Sequence, residues 1–353
     1  MSENGGDVSA IEADVARLLG VPVQLAGTVA SGRNSRVYRA ETARGNLVAV
    51  KQFHRSHTAT RDYLQVEHAA LQFLWDQGER RVPEPIAIDL PAGLLISEFV
   101  EGQRVPSAAV SDADIDEAVD FLVSLKALTR MPGSMSLPKA SEACFTAQAV
   151  VENIGHRRQR LEQEGDLRVL SGALGAFLVD EFDPTLQDTV DSSRHCLARA
   201  GAVPVDEKLP VDLRTLSPSD FGFHNSLRRV DGSLVFIDFE HFGWDDPAKM
   251  IADVILHPAM ALPVALADRF VAGMLQCFSD DENIAARLQA LEPLFGLKWC
   301  TILLNEFIAG DMARRRFSER GESDRDILLQ AQICKAQNML HHVQAAVRRL
   351  ATP

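Results

Sequence analysis

The sequence predicts an α+β fold in two lobes: a small antiparallel β-rich N-terminal lobe and a larger, mainly helical C-terminal lobe. Three observations predict it. Between Val21 and Ile96, short apolar runs alternate with turn signals around a single helical stretch. After Gly102 the periodicity becomes helical. Within that helical half, only Leu216–Phe239 reverts to short strand and loop. The joint is expected near Glu98–Gly102, dividing the chain into residues 1–100 and 101–353.

Element by element, the polar start carries Glu3, Asp7, Glu12 and Asp14 and leads into a short amphipathic helix. Val23–Thr28 and Arg36–Glu41 flank a small-residue turn, Ala30–Ser35. Gly45-Asn46 turns the chain into the apolar strand Leu47–Val50, closed by Lys51. A helix from Arg61 to Gln77 sets Leu64, Ala70, Leu71, Leu74 and Trp75 on one face and stops at Gly78. Pro85–Asp89 and Leu94–Phe99 complete the strands. In the second lobe Ser111 can cap Asp112–Arg130, with Asp114 in the first turn and Ile115, Val119, Leu122, Val123 and Leu125 as the apolar face. Pro132-Gly133 breaks the chain, and residues 142–200 carry two or three amphipathic helices. The chain is helical again from Asp246, ending in a long helix from Ser323 to Leu350.

Composition narrows the function classes. The 353 residues are 46% hydrophobic and 24% charged, as expected of a soluble globular protein. The net charge of −13 disfavours non-specific nucleic-acid binding, which needs a basic face. Most of that acidity is expected to serve solubility. The N-terminus has no basic-then-apolar pattern of a secretory signal, and no stretch reaches the ~18 apolar residues of a membrane helix. The five cysteines form no CxxC pair, which points to reduced thiols in a cytoplasmic protein without a zinc site or disulfide framework.

The chemistry concentrates in Ser217-Pro218-Ser219-Asp220-Phe221-Gly222-Phe223-His224-Asn225. A hairpin follows, Leu227–Val230 and Leu234–Ile237 around Asp231-Gly232-Ser233, with Asp238 at its exit. A hairpin brings its ends together, so Asn225 and Asp238 can share one space. A carboxylate and an amide oxygen there suit Mg²⁺ completed by phosphates and water. Asp220 is then free to orient a hydroxyl and take its proton. Upstream, Lys51 is placed to reach phosphates, and Glu67, sixteen residues later on the first helix, can hold it. Ser31, Gly32, Asn34 and Ser35, in the turn before Lys51, can offer donors to phosphate oxygens.

With Lys51, Glu67, Leu94–Val100, Asp220, Asn225 and Asp238 in place, the sequence resembles the aminoglycoside phosphotransferase and choline kinase family, which has a protein-kinase-like fold. The resemblance implies that Asp220 is the catalytic base and that Asn225 and Asp238 bind Mg²⁺. Lys51, held by Glu67, would bind ATP phosphates, and the backbone from Ser97 to Val100, with Glu98 and Val100 as its contacts, would receive adenine. Two positions depart from the family pattern: Pro218 stands where a histidine is usual and Ser219 where a glycine is usual. His224 reads as a satisfied loop histidine.

Asp238 is followed by only a few residues before Asp246-Pro247 opens a helix, which leaves no room for a peptide-binding activation segment. A small-molecule acceptor is therefore expected, in a pocket built from C-lobe helices. Its candidate residues are Trp244, Asp245, Asp246 and Asp253, with Asn305, Glu306 and Asp311 on a helix over Leu297–Arg315. Their acidity suits an amine-bearing acceptor, and Arg314–Arg316 reads as a solvated face. The reading is an ATP- and Mg²⁺-dependent phosphotransferase acting on a small-molecule hydroxyl. The alternative is a kinase-like protein that binds a nucleotide or metabolite without turnover.

Overall fold

A computed structural model describes residues 3–31, 34–54, 61–164, 172–201, 207–308 and 325–351. β1 (Val23–Ser31), β2 (Ser35–Thr42), β3 (Leu47–Phe53), β4 (Pro85–Asp89) and β5 (Leu94–Glu98) form one antiparallel sheet in the order β1-β2-β3-β5-β4. Side chains alternate across it. One face packs on α1 (Glu3–Leu19): Ile11 and Val15 meet Tyr38, Val48, Val50 and Ile96. The other meets α2 (Tyr63–Asp76), where Leu64 and Leu71 join Phe53 and Leu95. Asp62 caps α2 by accepting the Gln65 N–H, so the helix starts two residues later than expected.

β3 also differs from expectation. It runs on through Gln52 and Phe53, so Lys51 lies inside the strand instead of closing it. The alternation puts Lys51 on the α2 face, opposite Val48 and Val50, with its ammonium 4.9 Å from the Phe53 ring centroid. Ser31, expected in the turn, is the last residue of β1 and pairs with Arg36. Gly32 lies outside the described residues.

The remainder is mainly helical: α3 (Asp112–Leu128), α4 (Ala147–Glu164), α5 (Asp183–Arg199), α6 (Pro247–Leu256), α7 (Val264–Cys277), α8 (Ile284–Leu303) and α9 (Arg325–Ala351). The Ser111–Asp114 capping box opens α3 as its sequence suggests. α8 packs against α4, α5, α6 and α9 and forms the middle of this half. The helix expected over Leu297–Arg315 is instead the end of α8, tightening into a 3₁₀ turn at Leu304–Phe307 where Asn305 and Glu306 interrupt the apolar run. Asp311 and residues 314–316 lie outside the described residues.

Short strands position the functional loops. β6 (Gln103–Arg104), β8 (Ser226–Arg228) and β9 (Leu234–Phe236) form the predicted hairpin and an added strand. β7 (Thr215–Ser217) pairs with β10 (Gly243–Asp245). The second pairing ties the chain just before Asp220 to the chain just after Asp238. No described helix is long and apolar enough to cross a membrane.

Candidate active site

Lys51 sits among three carboxylates. Its Nζ lies 2.6 Å from Glu67 Oε2, 2.6 Å from Asp238 Oδ1 and 3.3 Å from Glu240 Oε2. The i, i+3, i+7 spacing of Leu64, Glu67 and Leu71 turns Glu67 inward from α2 beside apolar neighbours. Burial pushes the Glu67 carboxyl up to about 7, helped by Asp238 and Glu240, while Lys51 pulls it down. The three carboxylates overcome burial and hold the Lys51 ammonium well above its usual range. One ammonium facing three carboxylates leaves excess negative charge at the site.

Asp220 lies in a tight turn, its N–H donating to Pro218 O at 2.9 Å. Ser219 carries a φ of +67°, a conformation that favours glycine, at the position where the family pattern has one. Its Oγ donates to Ser141 O at 3.0 Å, tying the turn to the loop before α4.

Two imidazoles hold the Asp220 carboxylate. His257 Nδ1 accepts the Ala259 N–H at 3.1 Å, which leaves Nε2 protonated to donate to Asp220 Oδ1 at 3.2 Å. His224 Nε2 donates to the same oxygen at 3.1 Å. The two rings stack at 4.1 Å. Burial pushes the carboxyl up, but the His224 and His257 hydrogen bonds outweigh it and keep the group well below the usual carboxylate range. With both ring Nε2 atoms acting as donors, this trio is a hydrogen-bonded support and not a metal-ligand set. Gly222 makes room for it, since a Cβ there would meet Met260 Sδ at 2.4 Å and His224 Nδ1 at 2.8 Å.

The hairpin brings its ends together as its turn sequence implies. Gly232, φ +92°, turns the chain, and the Ile237 N–H donates to Asn225 O at 2.9 Å. The Asn225 side-chain amide donates to Asp220 O at 2.9 Å, a bond that leaves its Oδ1 unused, although Asn225 is not among the residues that line the cleft. The carboxylate oxygens of Glu67, Asp238 and Glu240 lie within 4.8 Å of one another. This oxygen-only donor set with excess negative charge fits a hard divalent cation. The turn between β1 and β2 is joined to it, because the Asn34 amide donates to Glu240 Oε1 at 2.7 Å.

A cleft of about 1240 Å³ opens over these groups. Asn34, Ser35, Asp220 and Asp238 line it, and Lys51 and Glu67 lie behind Asp238. Glu98 and Val100 are not among its lining residues. Glu98 accepts from Arg229 at 2.7 Å, and its own N–H donates to Glu84 O. Among the acceptor-pocket candidates, Asp253 and Asn305 reach the cleft. Trp244, Asp245 and Asp246 do not: Trp244 donates to Ser134 O, Asp245 pairs with Lys249, and Asp246 caps α6 and pairs with Arg287. Glu306 is buried and does not line the cleft.

Sequence reasoning missed several residues here. His224 is more than a satisfied loop histidine, since it holds Asp220. His257 reaches Asp220 from the end of α6. Arg61 donates to the carbonyls of Lys139 and Phe242, both at 2.8 Å, and straps the loop after Asp238. The Pro258 that ends α6 is the only local sign of His257's position.

The model of the phosphotransferase enzyme family matches residues 27–197. Over those residues, just under half of the chain, the sequence is similar to that family. The matched stretch holds Lys51 and Glu67 and ends before Asp220, so the Asp220 loop and Asp238 stand on their geometry. No curated protein matches the chain. Solved structures share the fold of this chain. The choline kinase of Cryptosporidium parvum Iowa II aligns with a TM-score of 0.64 at 12% identity, covering 97% of this chain and 96% of that one. A spectinomycin phosphotransferase in complex with ADP and spectinomycin aligns at 0.61 and 11%, covering 96% and 98%. A choline kinase from Streptococcus pneumoniae aligns at 0.56 and 17%, covering 94% and 98%.

Proposed function

We propose that this chain transfers the γ-phosphoryl group of ATP to a hydroxyl of a small molecule. The observation that carries the reading is one cleft with two differently tuned acidic centres. Asp220 is fixed by two imidazoles, and the Lys51–Glu67–Asp238–Glu240 cluster holds surplus negative charge. Residues 1–100 would supply the nucleotide lobe, and residues 101–353 the catalytic loop and acceptor pocket.

Asn225 and Asp238 would hold Mg²⁺, which on binding neutralises triphosphate charge, and Lys51, oriented by Glu67, would meet the phosphates. Asn34 and Ser35 lie at the cleft edge where phosphate oxygens would be received. Asp220, kept ionised, would accept the acceptor's O–H through Oδ2 and aim its oxygen for in-line attack. A carboxylate with so low a pKa is a weak base. That suits a loose transition state in which the proton leaves late and orientation dominates. The spectinomycin phosphotransferase solved with ADP supports a nucleotide as donor.

The test is ADP release from Mg·ATP with a panel of hydroxyl compounds: hydroxy acids, sugars, amino-alcohols and aminoglycosides. Acceptor-dependent ADP release, with the phosphate recovered on the acceptor, is the expected result. ATP binding with no acceptor-dependent release across the panel would instead favour the binding-protein alternative.

A further inference from the structure

Lys298 is a buried cation that lacks an adjacent anion. It lies on α8, is 3% exposed, and lines the cleft together with Ile302, four positions on along the same face, and Asn305 in the 3₁₀ turn that follows. Among the described residues it has no ion pair and its ammonium makes no hydrogen bond. The nearby acids are engaged elsewhere. Asp253 takes Lys249 at 2.8 Å and the Trp299 N–H at 3.1 Å. Glu142 takes Arg157 at 2.8 Å and the Asn153 amide at 2.5 Å. Burial, and then the neighbouring Lys249, lower the Lys298 pKa, and Asp253 and Glu142 offset this only in part. A fold rarely keeps an ammonium buried without acceptors unless something else provides them.

The cleft around it carries both signs, but Glu142 and Asp253 are taken by other partners. Arg157 on α4 lines the same cleft and has a buried Nε without a partner. Trp299, the next residue after Lys298, packs edge-on against His257 at 4.6 Å, and His257 holds Asp220. The Lys298 end of the cleft therefore adjoins the Asp220 support.

We propose that Lys298, with Arg157, receives an anionic group on the acceptor, a carboxylate or a phosphate, so that the same molecule presents its hydroxyl to Asp220. This rests on the phosphotransferase reading and replaces the amine-bearing acceptor expected from the acidic candidates: Asp245, Asp246 and Glu306 do not line the cleft, Asp311 lies outside the described residues, and Asp253, which does line it, is engaged by Lys249 and Trp299.

The test separates the two readings by first saturating the protein with a non-hydrolysable Mg·ATP analogue. Inorganic phosphate and, separately, acetate are then titrated by calorimetry into wild type, Lys298→Met and Lys298→Arg. Saturable binding of at least one anion is expected in wild type, about tenfold weaker in Lys298→Met and largely retained in Lys298→Arg. The stronger of the two identifies the anion class. Nucleotide affinity is expected to stay equal in all three proteins. The thermal midpoint of Lys298→Met should match or exceed wild type, because an uncompensated buried charge has gone. Absence of anion binding in wild type, equal binding in Lys298→Met, or a lowered midpoint that Lys298→Arg restores without any change in anion binding would each overturn the proposal. Failure of the analogue to bind wild type would instead count against the phosphotransferase reading, and the anion titration would still report on Lys298.

Discussion

Two lysines in this protein are buried among carboxylates, and their settings differ in what they leave open. Lys249 pairs with Asp245 at 2.7 Å and Asp253 at 2.8 Å, at i, i+4 spacing, and both Lys249 and Asp245 are 0% exposed. Lys51 faces Glu67, Asp238 and Glu240, and Asp238 is 34% exposed at the cleft. The first cluster is closed around Lys249 and Asp245, meets the cleft only at the edge of Asp253, and draws its partners from neighbouring turns of chain. The second draws on β3, α2 and the segment after the hairpin, and sets three carboxylates against its one lysine where the first sets two. Similar pairs thus differ in use: the Lys249 pair fixes α6 beneath the Asp220 support, and the open one is where we propose that a cation binds.

Changes to each cluster should separate these roles, and the Asp220 centre gives the largest effect. Asp220→Asn is expected to lower phosphoryl transfer by about 10²–10⁴-fold while leaving Mg·ATP affinity unchanged, read from kcat and calorimetry. A variant as fast as wild type would remove Asp220 from the chemistry. In the Lys249 cluster, Lys249→Met strands two buried carboxylates, and unfolding in urea should show a loss of about 3–5 kcal/mol. Saturating Mg·ATP should raise the wild-type melting temperature yet fail to bring this variant back to it.

A subtler change tests the imidazole support. The Asp220 pKa is depressed in the folded protein, so its stabilising contribution is present above the ordinary carboxylate range and is lost as pH falls through the depressed value. His257→Ala removes one donor and should move the acid limb of kcat/KM upward in pH. An unmoved limb would mean that His224 alone sets it. The smallest effect is expected from Ser219→Gly, which relieves a positive φ and loses the bond to Ser141. Chemical unfolding should change by no more than about 1 kcal/mol.

The groups with local signatures were legible in the sequence. Lys51 and Glu67 fall on a strand and a helix whose periodicities are clear, and Asp-Gly announces the hairpin that joins Asn225 to Asp238. What was missed depends on pairings between distant segments. β7 and β10 are three residues each, too short to show a pattern, yet their pairing aligns the loops carrying Asp220 and Asp238. His257, Arg61 and Lys298 are single residues in ordinary helical or loop sequence whose roles arise only when α6, α2 and α8 converge. Asp245 and Asp246 misled for the same reason. Their acidity was readable, but the buried Lys249 and Arg287 that neutralise them were not.

The central claim is that the surplus acid charge around Lys51 forms a cation site serving a nucleotide. Calorimetric titration of ATP into wild type and Asp238→Asn, each with and without Mg²⁺, tests it most directly. The account predicts tight binding in wild type only when Mg²⁺ is present, and loss of that Mg²⁺ dependence in Asp238→Asn. Equal Mg²⁺-dependent affinity in the two proteins would contradict it.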